Sequence, residues 1–182
     1  MVFPLQTSRL SIEPLSLRDL EAFVEYRRDP EIARYQSWHT SYSVSQGKEL
    51  IASQDGVLLP AKDDWLQLAI HDRVNGTLIG DLAIHLLDEE DCSFELGFTI
   101  ATEFQGNGYA FESCSALMNY LLLEVGAKRI IACTDRRNLR SIMLLDSLGF
   151  QIQPSRTFTE EFKGEIVTVD EFEITQSSFR SK

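Results

Sequence analysis

The chain has 182 residues, 43% of them hydrophobic and 25% charged, which is enough to close one full hydrophobic core within a single domain. With 17 Lys and Arg against 28 Asp and Glu, the net charge is −11; this argues against a nucleic-acid surface, which needs clustered basic residues, and suits a cationic partner drawn in by long-range attraction. No apolar run reaches the roughly 20 residues of a membrane span, and the N-terminus lacks the basic-then-apolar order of a secretory signal, so a cytoplasmic protein without membrane attachment is expected.

The three cysteines, Cys92, Cys114 and Cys133, are widely spaced and include no CxxC, which argues against a disulfide framework or a zinc site. Cys114 and Cys133 sit among apolar residues and read as small buried hydrophobes. His39, His71 and His85 form no ligand spacing, and no metal is expected.

In chain order, residues 9–15 alternate, Leu10 and Ile12 against Ser11 and Glu13, and read as a strand. Ser16 and Asp19 form a capping-box-like start for a helix carrying Leu17, Leu20, Phe23, Val24 and Arg27, which Asp29-Pro30 ends. A second helix begins near Ser43, with Gln46 as its reciprocal cap partner. Between them, residues 34–38 make an aromatic-rich connection, either a packed corner or a substrate lid. Residues 65–70, 78–86 and 93–100 are strand-like, and the turn 74–77 and the acidic turn 88–91 between them imply an antiparallel meander.

After Ile100 the period changes. Phe111, Cys114, Leu117, Met118, Leu121 and Val125 share one face of a helix that Gly126 stops. Residues 129–134 form a short strand, Asn138 caps a helix bearing Ile142, Leu145 and Leu148 up to Gly149, and residues 151–158 and 166–175 are two closing strands. No linker or repeat interrupts the chain, so one domain over residues 1–182 is expected, with its core at about 7–176.

The chemistry points to Gln105-Gly106-Asn107-Gly108-Tyr109-Ala110. A strand feeding a glycine-containing turn that opens a helix gathers free backbone N–H groups around one concavity, with the positive end of the helix dipole behind it. Such a site holds a phosphate or pyrophosphate without lysine. A P-loop is excluded, because Tyr109 follows Gly108 where lysine would stand. A dinucleotide fingerprint has Gly106 and Gly108 but Phe111 at the third glycine position, leaving a dinucleotide-dependent oxidoreductase as an outside alternative.

The same turn matches the [QR]-x-x-G-x-[GA] element of the GNAT N-acetyltransferases, and the chain resembles their branch of ribosomal-protein N-acetyltransferases, RimJ and RimL. The likeness includes Glu95-Leu96-Gly97-Phe98, Glu112, Asn138-Leu139-Arg140-Ser141 and Leu148-Gly149-Phe150, and begins with Thr7-Ser8-Arg9-Leu10 and Asp29-Pro30-Glu31. The resemblance implies a single-domain α/β fold, a mixed and mostly antiparallel sheet of about seven strands flanked by about four helices. It implies acetyl-CoA as co-substrate, with the backbone from Gln105 to Ala110 around its pyrophosphate. Main-chain groups of Phe98, Thr99 and Ile100 would pair with the pantetheine arm, and Asn138 would lie near the sulfur. The acceptor would be a primary amine, a protein N-terminus or a small cationic amine, and a homodimer is possible.

Acetyl transfer needs a neutral amine, and a lysine-like amine has a pKa of about 10.4, so a base or a desolvating pocket must remove its proton. Glu95 is the first candidate base, the alternative being a structural carboxylate. Main-chain N–H groups near Phe98, Thr99 and Ile100 are candidate oxyanion donors. Many members of the resembled family carry tyrosine where this chain has Leu145, so Ser141 is the candidate donor to the leaving sulfur, and a catalytically weak acyl-CoA sensor is the alternative to an enzyme. Tyr35 and Trp38 are candidates for the acceptor's entrance, where an aromatic face would assist a cation.

Overall fold

The computed structural model describes residues 3–180; residues 1, 2, 181 and 182, the ends of the expected domain, lie outside the described residues. Alternating apolar residues build the first half of the sheet. β1 (Leu5–Gln6) is a short edge against β2 (Leu10–Pro14), whose Leu10 and Ile12 are fully buried on one face. β2 pairs antiparallel with β3 (Trp65–Asp72), and β3, β4 (Leu78–Asp88) and β5 (Ser93–Ile100) form the meander that the short turns predict.

Helices cover both faces of this sheet. On one face α1 (Leu20–Arg27), α2 (Pro30–Ala33) and α3 (Val44–Ser53) set Phe23, Val24, Ile32 and Ile51 against Ala69, Leu78 and Ala101. On the other, α4 (Tyr109–Asn119), continued by a π-helical stretch (Tyr120–Val125), and α5 (Leu139–Leu148) set Cys114, Leu117, Leu121 and Leu145 against Leu82, Phe94, Phe150 and Phe172. Each large side chain fully buried in this way contributes about 1.5–3 kcal/mol, so packing rather than intrinsic propensity holds these helices. The Ser43–Gln46 capping box is present at α3, and α5 ends at Gly149 with a φ of 90°, a left-handed stop that glycine accepts without strain.

The second half of the sheet contains its functional irregularity. α4 crosses over from β5 to β6 (Arg129–Asp135), which runs parallel to β5. The two strands pair only at Ser93 with Arg129, Phe94 with Ile130 and Glu95 with Ile131, and then part. β6 continues instead alongside β9 (Glu165–Thr175), antiparallel from Arg129 opposite Thr175 to Asp135 opposite Val169. At the cleft end of β5 the neighbouring strand is crowded: a Cβ on Gly80 of β4 would collide with the carbonyl oxygen of Thr99, so this pairing requires glycine.

The structure departs from the sequence reading in four places. Asp29-Pro30 not only ends α1 but starts α2, because the Asp29 carboxylate accepts the Glu31 N–H and proline is favoured in a first helical turn. The single strand expected at 151–158 is split into β7 (Gln151–Ile152), a 3-10 turn (Pro154–Arg156) and β8 (Phe158–Phe162); Pro154 has no N–H to give to a ladder. The strand order is β1-β2-β3-β4-β5-β6-β9-β7 with β8 also on β9, so nine strands stand among the described residues, and a short α6 (Gln176–Arg180) follows. Finally, Cys114 is buried as expected but Cys133 is exposed, because Ile130 and Ala132 of β6 point into the core and Cys133 alternates to the other face.

Candidate functional site

The turn between β5 and α4 is built by two glycines in the left-handed region, Gly106 and Gly108, each with a φ of 78°. Gly108 is the N-cap of α4, so the N–H groups of Tyr109, Ala110 and Phe111 have no intrahelical acceptor. Among the described residues, the N–H groups of Gly106, Asn107 and Gly108 also lack a backbone acceptor. A Cβ at Gly106 would meet nothing within 4 Å, so the concavity is open there.

Side chains fix the turn from both sides. The Asn107 amide folds back to donate to the carbonyls of Phe104 (3.1 Å) and Gln105 (3.2 Å), so Asn107 braces the turn and offers the concavity only its backbone. The Gln105 amide donates to the Ile100 carbonyl, and its oxygen accepts from Arg140 of α5 (2.9 Å). Arg140 has no carboxylate partner among the described residues, so its charge remains available to the cleft that it lines.

That cleft has a volume of about 700 Å³, within the usual range for a small-molecule or cofactor site. Phe98, Thr99 and Ile100 of β5, the turn residues Gln105, Gly106, Gly108, Tyr109 and Ala110, and Asn138 and Ser141 of α5 all line it. Thus the sequence-predicted cofactor residues converge, apart from the Asn107 side chain. Phe104, Phe111, Met143 and Leu144 supply apolar wall. Leu145 is fully buried in the main core, whereas Ser141, one turn earlier, reaches the cleft.

Asn138 also has a local task, since its side-chain oxygen accepts the Ser141 N–H (3.3 Å) and caps α5. Asn138→Ala is therefore expected to cost about 1 kcal/mol of stability, lowering Tm by roughly 2–4 °C. Asn138→Asp, which retains a cap, is expected to recover most of that in a thermal melt.

Tyr35 and Trp38 part company. Tyr35 lines the cleft, next to Gln36, whose amide lies 3.4 Å from the Thr99 hydroxyl. Trp38 does not: its indole N–H donates to the Arg27 carbonyl (3.0 Å), and its ring stacks 3.7 Å from the Arg27 guanidinium. Arg27 is itself buried beside Asp81, 3.6 Å away, and Asp81 accepts from the Tyr26 hydroxyl. Burial raises the Asp81 pKa while the Arg27 charge opposes that rise. Because Asp81 lies directly across from Thr99, this network backs the wall of the cleft. Trp38 is its packed corner.

Glu95 is the last residue of β5 paired with β6, on the face opposite Phe94 and Leu96. It does not line the cleft, and its carboxylate is 3.5 Å from His85 Nδ1. Across the gap, desolvation and the carboxylates of Glu95, Glu171 and Glu160 push the Cys133 thiol up to about 12. Such a thiol stays protonated near neutral pH and is a poor acetyl-carrying nucleophile. Lys163, at the β8–β9 turn, donates to the carbonyls of Ala33 and Trp38, tying that hairpin to the loop of Tyr35. Sequence reasoning includes Arg140 in the likeness and Gln36 in the connection at 34–38 but gives neither a role, and it does not reach Lys163, which stands in a turn without a periodic pattern. Among the described residues no group of three or more His, Cys, Asp or Glu is arranged to hold a metal.

Residues 9–151 match the acetyltransferase (GNAT) domain. The chain belongs to the GNAT acetyltransferases, and it is an N-acetyltransferase enzyme. It is similar to an uncharacterized N-acetyltransferase, p20, of Bacillus licheniformis, 26% identical over 96% of this chain and 97% of p20. It is also similar to the uncharacterized N-acetyltransferase YoaA of Bacillus subtilis strain 168, 30% identical over 82% of this chain and 84% of YoaA. Its GNAT fold is shared with a spermidine N-acetyltransferase of Vibrio cholerae in a crystal structure with CoA and spermine, at a TM-score of 0.82 and 21% identity, covering 96% and 99% of the two chains.

Proposed function

We propose that this GNAT enzyme moves an acetyl group from acetyl-CoA directly to a primary amine, as one catalytic domain over residues 1–182 of a cytoplasmic, RimJ/RimL-like protein. The observation that carries the reading is the cradle of N–H groups at Gly106–Ala110, opening beside the point where β5 and β6 part. The fit to a CoA diphosphate rests on the open space at Gly106, the helix N-terminus behind it and the uncompensated Arg140. Beyond Glu95 the β5 edge facing β6 is free to pair with an extended amide-bearing arm through the main-chain groups of Phe98 and Ile100, while Thr99 turns its own toward β4.

Acetyl-CoA, when bound, supplies a thioester carbonyl open to attack by an amine. The chain's residues then divide the work. Glu95 accepts the proton that the amine must lose, through solvent in the groove, because it stands outside the cleft lining. The N–H groups of Phe98 and Ile100, on the edge that β4 leaves free, stabilise developing negative charge on the carbonyl oxygen. Ser141 donates a hydrogen bond toward the departing sulfur from the position that Leu145, buried in the core, does not reach. A thiol with a pKa of about 8.5 leaves without a strong acid.

A cationic acceptor is favoured by the carboxylates of Glu95, Glu160 and Glu171, which converge on Cys133 beside the parted strands, and by the net charge of −11. The test is CoA release over a panel of amines: polyamines, aminoglycosides, free amino acids and peptides with free N-termini. Turnover with a cationic member and none with anionic ones is the expected result. Tight acetyl-CoA binding with no release on any amine would overturn turnover in favour of a sensor.

A further inference from the structure

The N-terminal segment between β1 and β2 is bonded to Glu112 in the first turn of α4. One oxygen of Glu112 accepts from the Thr7 hydroxyl (2.5 Å), the Ser8 hydroxyl (3.1 Å) and the Arg9 N–H (3.0 Å). Its other oxygen accepts from Arg9 Nε (2.7 Å) and lies 2.7 Å from Nη2. The remaining guanidinium nitrogen, Nη1, donates to the Asn107 carbonyl (3.0 Å), between the two glycines, and the guanidinium lies 4.5 Å over the Tyr109 ring. Arg9 is thus joined at once to the residue before Gly108, to the residue after it, and to the helix it caps.

We propose that Arg9, held by Glu112, is a positioning residue that keeps the Gln105–Ala110 turn in its anion-binding shape before any ligand arrives. A turn with two glycines at positive φ has wide conformational freedom when unrestrained, and ordering it only on binding would reduce affinity. The Arg9–Glu112 fork removes that freedom in advance by fixing the Asn107 carbonyl and the Tyr109 ring. Charge is not its contribution, because the Glu112 carboxylate neutralises the guanidinium at 2.7 Å. Arg140, which has no such partner, is the cation left for the ligand. Burial alone would raise the Glu112 pKa, but the donors from Thr7, Arg9 and Ser8 outweigh it and draw it down to about 2, so the fork stays ionised at working pH.

The inference rests on the proposed acetyl-CoA site, and its test separates the two. Calorimetry with CoA, and KM for acetyl-CoA against S-acetylpantetheine, which lacks the diphosphate and nucleotide, are measured for wild type, Arg9→Ala, Arg9→Lys and Glu112→Gln, with thermal melts as a check on folding. Arg9→Ala is expected to weaken CoA binding on the order of tenfold, leaving kcat and the KM for S-acetylpantetheine unchanged. Arg9→Lys should lose most of the same affinity, since lysine keeps the charge but not the planar fork, and Glu112→Gln should fall between it and wild type. Full affinity in Arg9→Ala, full rescue by lysine, or an equal loss for both thioesters would each overturn the positioning role. Wild-type protein that fails to bind CoA would overturn the acetyl-CoA reading itself, and the clamp with it.

Discussion

Gly108→Val is expected to weaken acetyl-CoA binding by at least about 100-fold, equivalent to about 2.7 kcal/mol, in a chain that still folds. Two separate physical effects contribute. At a φ of 78° a β-branched residue is strained, by roughly 1–2 kcal/mol, which a thermal melt would register as a modest fall in Tm. The loss of binding has another source. The new Cβ would lie 3.5 Å from Arg9 Nη2, in ordinary contact, but the two methyl groups beyond it must either displace Arg9 or stand over the N–H groups that open α4. Gly106 provides the control: it has the same φ, yet a Cβ there meets open space. Gly106→Ala should therefore show the strain with less loss of affinity. Calorimetry with acetyl-CoA decides the matter, and wild-type affinity in Gly108→Val would remove the turn from the binding site.

What was legible in the sequence was what local chemistry writes into it. Gly126 and Gly149 end helices because their positive φ is a local demand, and Ser43 with Gln46 starts one because a cap needs only four consecutive residues. The turn at residues 105–110 belongs to the same class, which is why its place and its capacity for an anion are written in the local sequence. Contacts between distant segments were not legible. Arg9 and Glu112 meet across 103 positions of chain, and the motif containing Thr7-Ser8-Arg9 carries no sign of what it touches. Tyr35 and Trp38 could not be told apart, because an irregular connection has no period from which to assign a face; the buried guanidinium of Arg27 settles it by drawing Trp38 inward. Cys133 misled for the opposite reason. Its strand is apolar around it, and only the register with β9, where Cys133 stands opposite Glu171, reveals an acidic side.

That acidic side bears on the second large effect. Glu95→Gln is expected to lower kcat by about 100-fold, the order typical of losing a general base, with the KM for acetyl-CoA unchanged. Glu95 occupies the last paired position before β5 and β6 diverge, so its side chain stands at the fork from which an acceptor would approach the free β5 edge. It faces the side of the sheet that also carries Cys133 and Glu171. His85, stacked on Trp65 at 4.7 Å, presents Nδ1 to the carboxylate at 3.5 Å, near enough to orient it without consuming both oxygens. The difficulty that a base at Glu95 would address is a pKa gap: an amine that holds its proton until about pH 10.4 in water must be neutral when it attacks. Glutamine keeps the shape and the contact with His85 but cannot take the proton. If Glu95 is the base, kcat in the variant should rise with pH as the free amine deprotonates unaided, so the deficit should narrow between roughly pH 7 and 10. A structural carboxylate would behave differently, with a lower Tm, altered KM values and a deficit insensitive to pH. A kcat within about twofold of wild type at neutral pH would sink the assignment and return the deprotonation to solvent.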